Sequence, residues 1–232
     1  MEQTIAEHMM ELKKQFVWII IPIVSIFIVA FAMSPLIIKS LIEYIALEAN
    51  VVTLTPFEGI NTSIMISGVI TLVLSIPFIL YSLYRFSKPA LSKNVDTLIV
   101  KNILTIMLLA VFGMCFGIFI FSKMVLNTLL NYNIANPMWS INSIIKFVMV
   151  SGLAMALVMQ TIIVIPTLNK MGMINIMKMK ESRWIIVIFI LILSAMVTPP
   201  DVVSQVFMFI PFYGSIELGM LLSKRKEEIK KC

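Results

Sequence analysis

Six apolar runs, separated by short connections that are mostly basic, constrain this chain more than any other feature. Crossing a hydrocarbon core of about 30 Å takes a helix of about 20 predominantly apolar residues. Runs 16–33, 64–83, 103–121 and 144–166 are long enough. Run 184–197 has 14 residues, which at about 1.5 Å each reach only about 21 Å. Run 202–222 carries Pro211 and Glu217, which reduce its well-behaved apolar length. The intervening Thr198-Pro199-Pro200-Asp201 fits a tight turn between helices. A fifth run this short either sits in locally thinned lipid or dips in without crossing. The expected fold is an all-α integral membrane protein of six transmembrane helices, the last two short. Residues 1–232 read as one membrane domain, with an amphipathic N-terminus at 1–15 and a basic tail at 223–232.

Composition supports the bilayer as solvent. The chain is 60% hydrophobic and only 13% charged, against about 25% charged in a soluble domain. The net charge of +6 reads as topology, not nucleic-acid affinity. Lys13 and Lys14, then Arg85, Lys88, Lys93 and Lys101, then Lys170, Lys178, Lys180 and Arg183 fall on one side with the five basic residues of the tail. Lys39 and Lys123 fall on the other, and Lys146 lies just inside the fourth run. This asymmetry places both termini in the cytoplasm and requires an even number of crossings. Ala30-Phe31-Ala32 has the small-x-small form of a cleavage site, but the acids Glu2, Glu7 and Glu11 ahead of the run argue against a signal peptide.

Several chemistries are excluded. One His (His8) and two Cys (Cys115, Cys232) cannot build a His/Cys zinc site or a disulfide framework. His8 has no nucleophile at membrane depth, no glycine-rich phosphate loop exists, and Asp96 and Asp201 lie on opposite sides. No catalytic residue, metal or cofactor is expected.

The polar residues remain. Ile5, Met9, Leu12 and Phe16 share one helical face and Glu7, Glu11 and Lys14 another, as in a helix lying on a membrane. Carboxylates at i and i+4 suit a cationic ligand, paired guanidinium groups above all; a solvated face is the alternative. The connection at 84–96 exposes apolar Phe86, Pro89 and Leu91 among basic residues, with Asp96 the lone acid. Packing and peptide contact are both open there. Gln160 needs a hydrogen-bond partner within the fourth span. Glu217 lies within two turns of the basic tail, and Asp201 is placed to cap the last helix.

In order and spacing these pieces resemble the TatC family, the multispanning receptor of the twin-arginine protein translocase. His8-Met9-Met10-Glu11-Leu12-Lys13-Lys14 is similar to the family's His-x-x-Glu-Leu-Arg pattern. Pro56-Phe57-Glu58 resembles the Pro-x-Glu motif of its first external loop. Ile76-Pro77 through Tyr81, with Phe86 and Pro89-Ala90-Leu91, resembles the second span and first cytoplasmic loop. Thr198-Pro199-Pro200-Asp201-Val202-Val203-Ser204-Gln205, with Ile210-Pro211 and Glu217, resembles the last hairpin.

The resemblance implies a glove-shaped scaffold that binds twin-arginine signal peptides of folded cargo at the cytoplasmic face. It further implies recruitment of TatA-type and TatB-type single-span subunits, export driven by the proton-motive force, self-association, and a prokaryotic cell membrane. Glu11 becomes the first arginine-binding carboxylate, with Phe86 and Pro89 beside it. Two departures stand out. The family's second arginine-binding acid falls on Val95, leaving Asp96 or Glu7 to supply that charge. The acid common in the fourth span is Gln160 here. The alternative from another class, a six-span secondary transporter of a small cationic or peptide solute, predicts midplane polar residues and an internal repeat, and neither is evident.

Overall fold

The computed structural model describes residues 5–45, 50–87, 93–132, 138–197 and 202–229; side chains are described from Ile19 onward, except at several connections and their flanking turns. Helix α1 (Ile5–Ile45) is followed by β1 (Asn50–Val52), α2 (Glu58–Ser87) and α3 (Lys93–Cys115). A π-helical turn at Phe116–Phe121 joins α3 to α4 (Ser122–Tyr132), then come β2 (Met138–Ser140) and α5 (Ile141–Lys170). The short α6 (Ile176–Glu181), α7 (Arg183–Val197) and α8 (Val202–Ile229) complete the chain.

Among the described residues, five stretches are long and apolar enough to cross a membrane: Ile19–Ile45, Glu58–Ile76, Ile103–Asn131, Ile141–Lys170 and Val202–Ser223. The 15-residue α7 is the shorter apolar helix between the last two. The all-α membrane fold therefore agrees with expectation, and α7 is the short member. The final helix differs from the expected short one. It runs 28 residues straight through Pro211, and Glu217 is neutralised by partners described below. At the other end, the amphipathic N-terminus and the first span form one continuous helix of 41 residues containing Pro22 and Pro35.

Burial identifies α5 as the central post: half of its apolar window is buried, against 11% for α1. Toward one end of the bundle, Leu41 and Ile45 of α1, Ile66 and Val69 of α2 and Leu126 of α4 pack on Ile144, Ile145, Val148 and Met149. At the opposite end Val158 and Ile165 of α5 meet Ile176, Ile190, Phe212, Ile216 and Met220. The ends that gather in each cluster are those of antiparallel neighbours. Two loops at the first end are clipped by a parallel pairing of β1 with β2, Val51 opposite Trp139.

Within lipid, small residues permit close backbone contact and polar side chains must find partners inside the protein. Both devices are present. A methyl group at Gly113 would lie 2.5 Å from the Met155 carbonyl oxygen, and one at Gly117 would lie 2.7 Å from that of Ser151. The α3–α5 crossing is thus backbone against backbone. Just beyond it the Ser122 hydroxyl donates to the Gly117 carbonyl at 2.7 Å, five residues back, filling the π-turn. Along α2 the buried hydroxyls of Thr62, Ser67 and Thr71 each donate to the carbonyl four residues earlier at 2.6 Å. Between α5 and α8, Thr161 shares a hydrogen bond with Ser215 at 2.9 Å, and Asn169 donates to Ser223 at 2.8 Å.

Candidate functional site

Four of the expected recognition residues lie near helix ends in the described backbone. Residues 7 and 11 stand one turn apart at the start of α1, Phe86 is in the last turn of α2, and Asp96 is in the first turn of α3. Helices α1 and α2 pack together, as do α2 and α3. The side chains of Glu7, Glu11, Phe86 and Asp96 lie outside the described residues, as do Pro89 and Leu91 entirely. Pro199, Pro200 and Asp201 also lie outside them, so the cap expected of Asp201 is not described. On either side of them, α7 ends at Val197 and α8 begins at Val202.

Gln160, Gln205 and Glu217 have described side chains. Gln160 on α5 is half-buried and donates its side-chain N–H to the Ile106 carbonyl of α3 at 3.0 Å. This is the helix-to-helix bond that an amide at this depth requires. A carbonyl oxygen has two lone pairs, so Ile106 can accept it without giving up its helical bond. The partner is an acceptor, and only a protonated acid could make the same bond. Gln205 repeats the pattern across the last hairpin, donating to the Leu191 carbonyl of α7 at 2.9 Å.

Glu217 is the most heavily partnered acid among the described residues. Its Oε1 receives the Arg183 guanidinium at 2.9 Å and the Tyr213 hydroxyl at 2.9 Å. Arg183 opens α7 and Glu217 lies in the second half of α8, so this pair joins the basic-side ends of the two helices. The Tyr213 ring stacks on Phe209 at 5.6 Å. On the far side, Pro56 is exposed in the turn before α2, while Glu58 begins that helix and is 6% exposed. An acid in the first turn favours the positive end of the helix dipole. Its Oε2 has no hydrogen-bond partner among the described residues.

Reading polar residues one by one missed two features. The Gly113-x-x-x-Gly117 spacing was the available signal for the α3–α5 crossing. Tyr213 and Glu217, four apart on a helix, signalled a local bond, but the Arg183 partner is 34 residues away. Among the described residues no three His, Cys, Asp or Glu side chains cluster as metal ligands.

The geometry defines a class first: a multi-pass helical membrane protein with a short seventh helix and polar bonds within the bundle. Residues 7–211 match the family described as Sec-independent protein translocase protein (TatC). The chain is 30% identical to the TatC protein of Aquifex aeolicus (strain VF5), over 98% of this chain and 99% of that one. It is 28% identical to TatC of Escherichia coli (strain K12), covering 96% and 88% respectively. A crystal structure of the twin-arginine translocase receptor TatC in detergent superimposes with a TM-score of 0.81 at 28% identity, over 94% of this chain and 99% of that one. This chain belongs to the TatC family. It is a component of a Sec-independent protein translocase, and membership displaces the small-solute transporter reading.

Proposed function

We propose that the protein is the signal-peptide receptor of a twin-arginine translocase, reading consecutive arginines at the cytoplasmic face of a prokaryotic cell membrane. The observation that carries the reading is the full-length likeness to a twin-arginine translocase receptor, joined to an acid at position 11 of the His8–Lys14 motif. A carboxylate there accepts a guanidinium through two parallel hydrogen bonds, a geometry an ammonium cannot reproduce. Phe86, Pro89 and Leu91 supply apolar contact for the peptide beside the charged pair. The basic connections support a topology with both termini in the cytoplasm. Single-span TatA-type and TatB-type subunits join the receptor, and several receptors assemble. Transport draws on the proton-motive force, with no catalytic residue in this chain. The short α7 thins the surrounding lipid and gives folded cargo no pore within this subunit.

The second arginine requires a second carboxylate, and Asp96 or Glu7 provides it in place of Val95. With both Asp96→Asn and Glu7→Gln introduced, affinity for a twin-arginine peptide is expected to fall about tenfold or more, the value of one charge-assisted bond. Titration of a fluorescent peptide against the purified protein in nanodiscs measures this. Unchanged affinity would remove both residues from the site.

Gln160 leads to a different experiment. Because its partner is a carbonyl, Gln160→Glu keeps the interhelical bond only while the new carboxyl is protonated. The variant is expected to transport better at low pH than at high pH, relative to the parent. Cargo export into inverted vesicles across a pH series reads this, and identical profiles would show that position 160 carries no charge dependence.

A further inference from the structure

The connection between α5 and α7 has a surface that the receptor reading leaves unused. After Gly172, whose φ of +74° turns the chain, the segment is anchored from below. Asn175 accepts the Met177 backbone N–H at 2.9 Å, starting α6. Ile176 is 7% exposed and packs with Ile190, Phe212, Ile216 and Met220. The outward face carries what the anchor does not bury. Met173 and Met177 are each 68% exposed and Trp184 is 66% exposed. Between them lie exposed Lys178, half-buried Lys180 and Arg183, which holds Glu217 yet remains 49% exposed.

The depth of this face follows from α7. Directly after Trp184, the exposed side chains are Ile185, Ile188, Phe189 and Ile192, a surface for acyl chains. Trp184 and Arg183 therefore stand where tails give way to headgroups, the usual level of an interfacial Trp. At that level two exposed methionines reach the acyl boundary, and the cations beside them face lipid phosphates. Against Lys178, Lys180 and Arg183 stand Glu181 and the Glu217 that pairs with Arg183, so three cations to two acids leave the balance positive. A zwitterionic headgroup brings its own cation, whereas an anionic headgroup complements this face.

We propose that residues 173–184 form a docking site for an anionic phospholipid, with Lys178, Lys180 and Arg183 on its phosphate and Met173, Met177 and Trp184 against its acyl chains. The site fixes the basic end of the short α7 to the bilayer surface, and it does not depend on the peptide-binding reading.

The test counts phospholipid retained by the full-length protein in nanodiscs prepared with equal phosphatidylglycerol and phosphatidylcholine. The parent is expected to enrich phosphatidylglycerol, and Lys178→Gln/Lys180→Gln to reduce the enrichment about tenfold. Lys178→Arg/Lys180→Arg is expected to keep it, and Lys39→Gln/Lys146→Gln, at the other side and in the fourth span, to leave it unchanged. Thermal unfolding in phosphatidylcholine alone checks that each variant is folded. Enrichment unaffected by Lys178→Gln/Lys180→Gln, or reduced equally by Lys39→Gln/Lys146→Gln, would overturn the proposal. Displacement of the lipid by millimolar inorganic phosphate would do so too, because the site would then be one for a free anion.

Discussion

Gly117→Leu is expected to leave little folded protein in the membrane. A single methyl group at this position would sit 2.7 Å from the Ser151 carbonyl oxygen and 2.8 Å from the Gly152 Cα. Both are backbone atoms of α5, the post on which the bundle is built, so relief requires the whole crossing to open. Overpacking a tight core costs about 1–3 kcal/mol where side chains can yield, and here none can. A loss at or above the top of that range is expected, a large part of the stability of an ordinary domain. Gly117→Ala should already be damaging. Gly68→Ala is the internal control, because nothing lies within 4 Å of its added methyl and alanine favours the helix by up to about 1 kcal/mol. Monodisperse yield and thermal unfolding in detergent compare the three. A Gly117→Leu protein as stable as the parent would mean that α3 and α5 do not cross this closely.

The second large effect concerns recognition. Glu11→Gln is expected to weaken binding of a twin-arginine peptide by about 100-fold, equivalent to about 3 kcal/mol, because the neutral amide accepts one bond where the carboxylate accepted two charge-assisted ones. The same peptide with alanines in place of both arginines should bind the parent more weakly still, because the contact made by Asp96 or Glu7 is lost as well. The variant's fold should be unaffected, since residue 11 lies in the first turns of a 41-residue helix and glutamine is as good a helix former as glutamate. Equal affinity in parent and variant, with folding intact, would take Glu11 out of the site.

The spans were legible because apolar length is decisive in lipid: five of the six sequence runs fall on described helices long enough to cross, and the sixth falls on the shorter α7. Their limits were not. The run ending at Met33 stopped where Ser34, Pro35 and Lys39 lowered the hydropathy, yet α1 continues to Ile45. Ser34 donates to the Phe31 carbonyl at 2.8 Å, and Pro35 is tolerated without a break. Glu58 read as part of a loop motif and proves to be the first residue of α2, since an acid at a helix start is favourable but does not raise hydropathy. The need of Gln160 for a partner followed from burying an amide, but the choice of Ile106 depends on where α3 crosses α5. The Arg183–Glu217 pair was invisible for the same reason. Both are set by tertiary contact, which one-dimensional spacing does not encode. The proposed recognition residues rest on motif order alone, and position 95 shows the limit of that route, because a displaced acid can be located only by measuring binding.

Arginine-pair reading is the function proposed for this protein. The most direct measurement is the affinity of the purified protein in nanodiscs for two signal peptides differing only in Arg-Arg against Lys-Lys. The account predicts that the Arg-Arg peptide binds at least about tenfold more tightly, since only guanidinium engages a carboxylate with two parallel bonds, and that Glu11→Ala erases the difference. Equal binding of both peptides, unchanged by Glu11→Ala, would contradict it and leave the family likeness as one of fold.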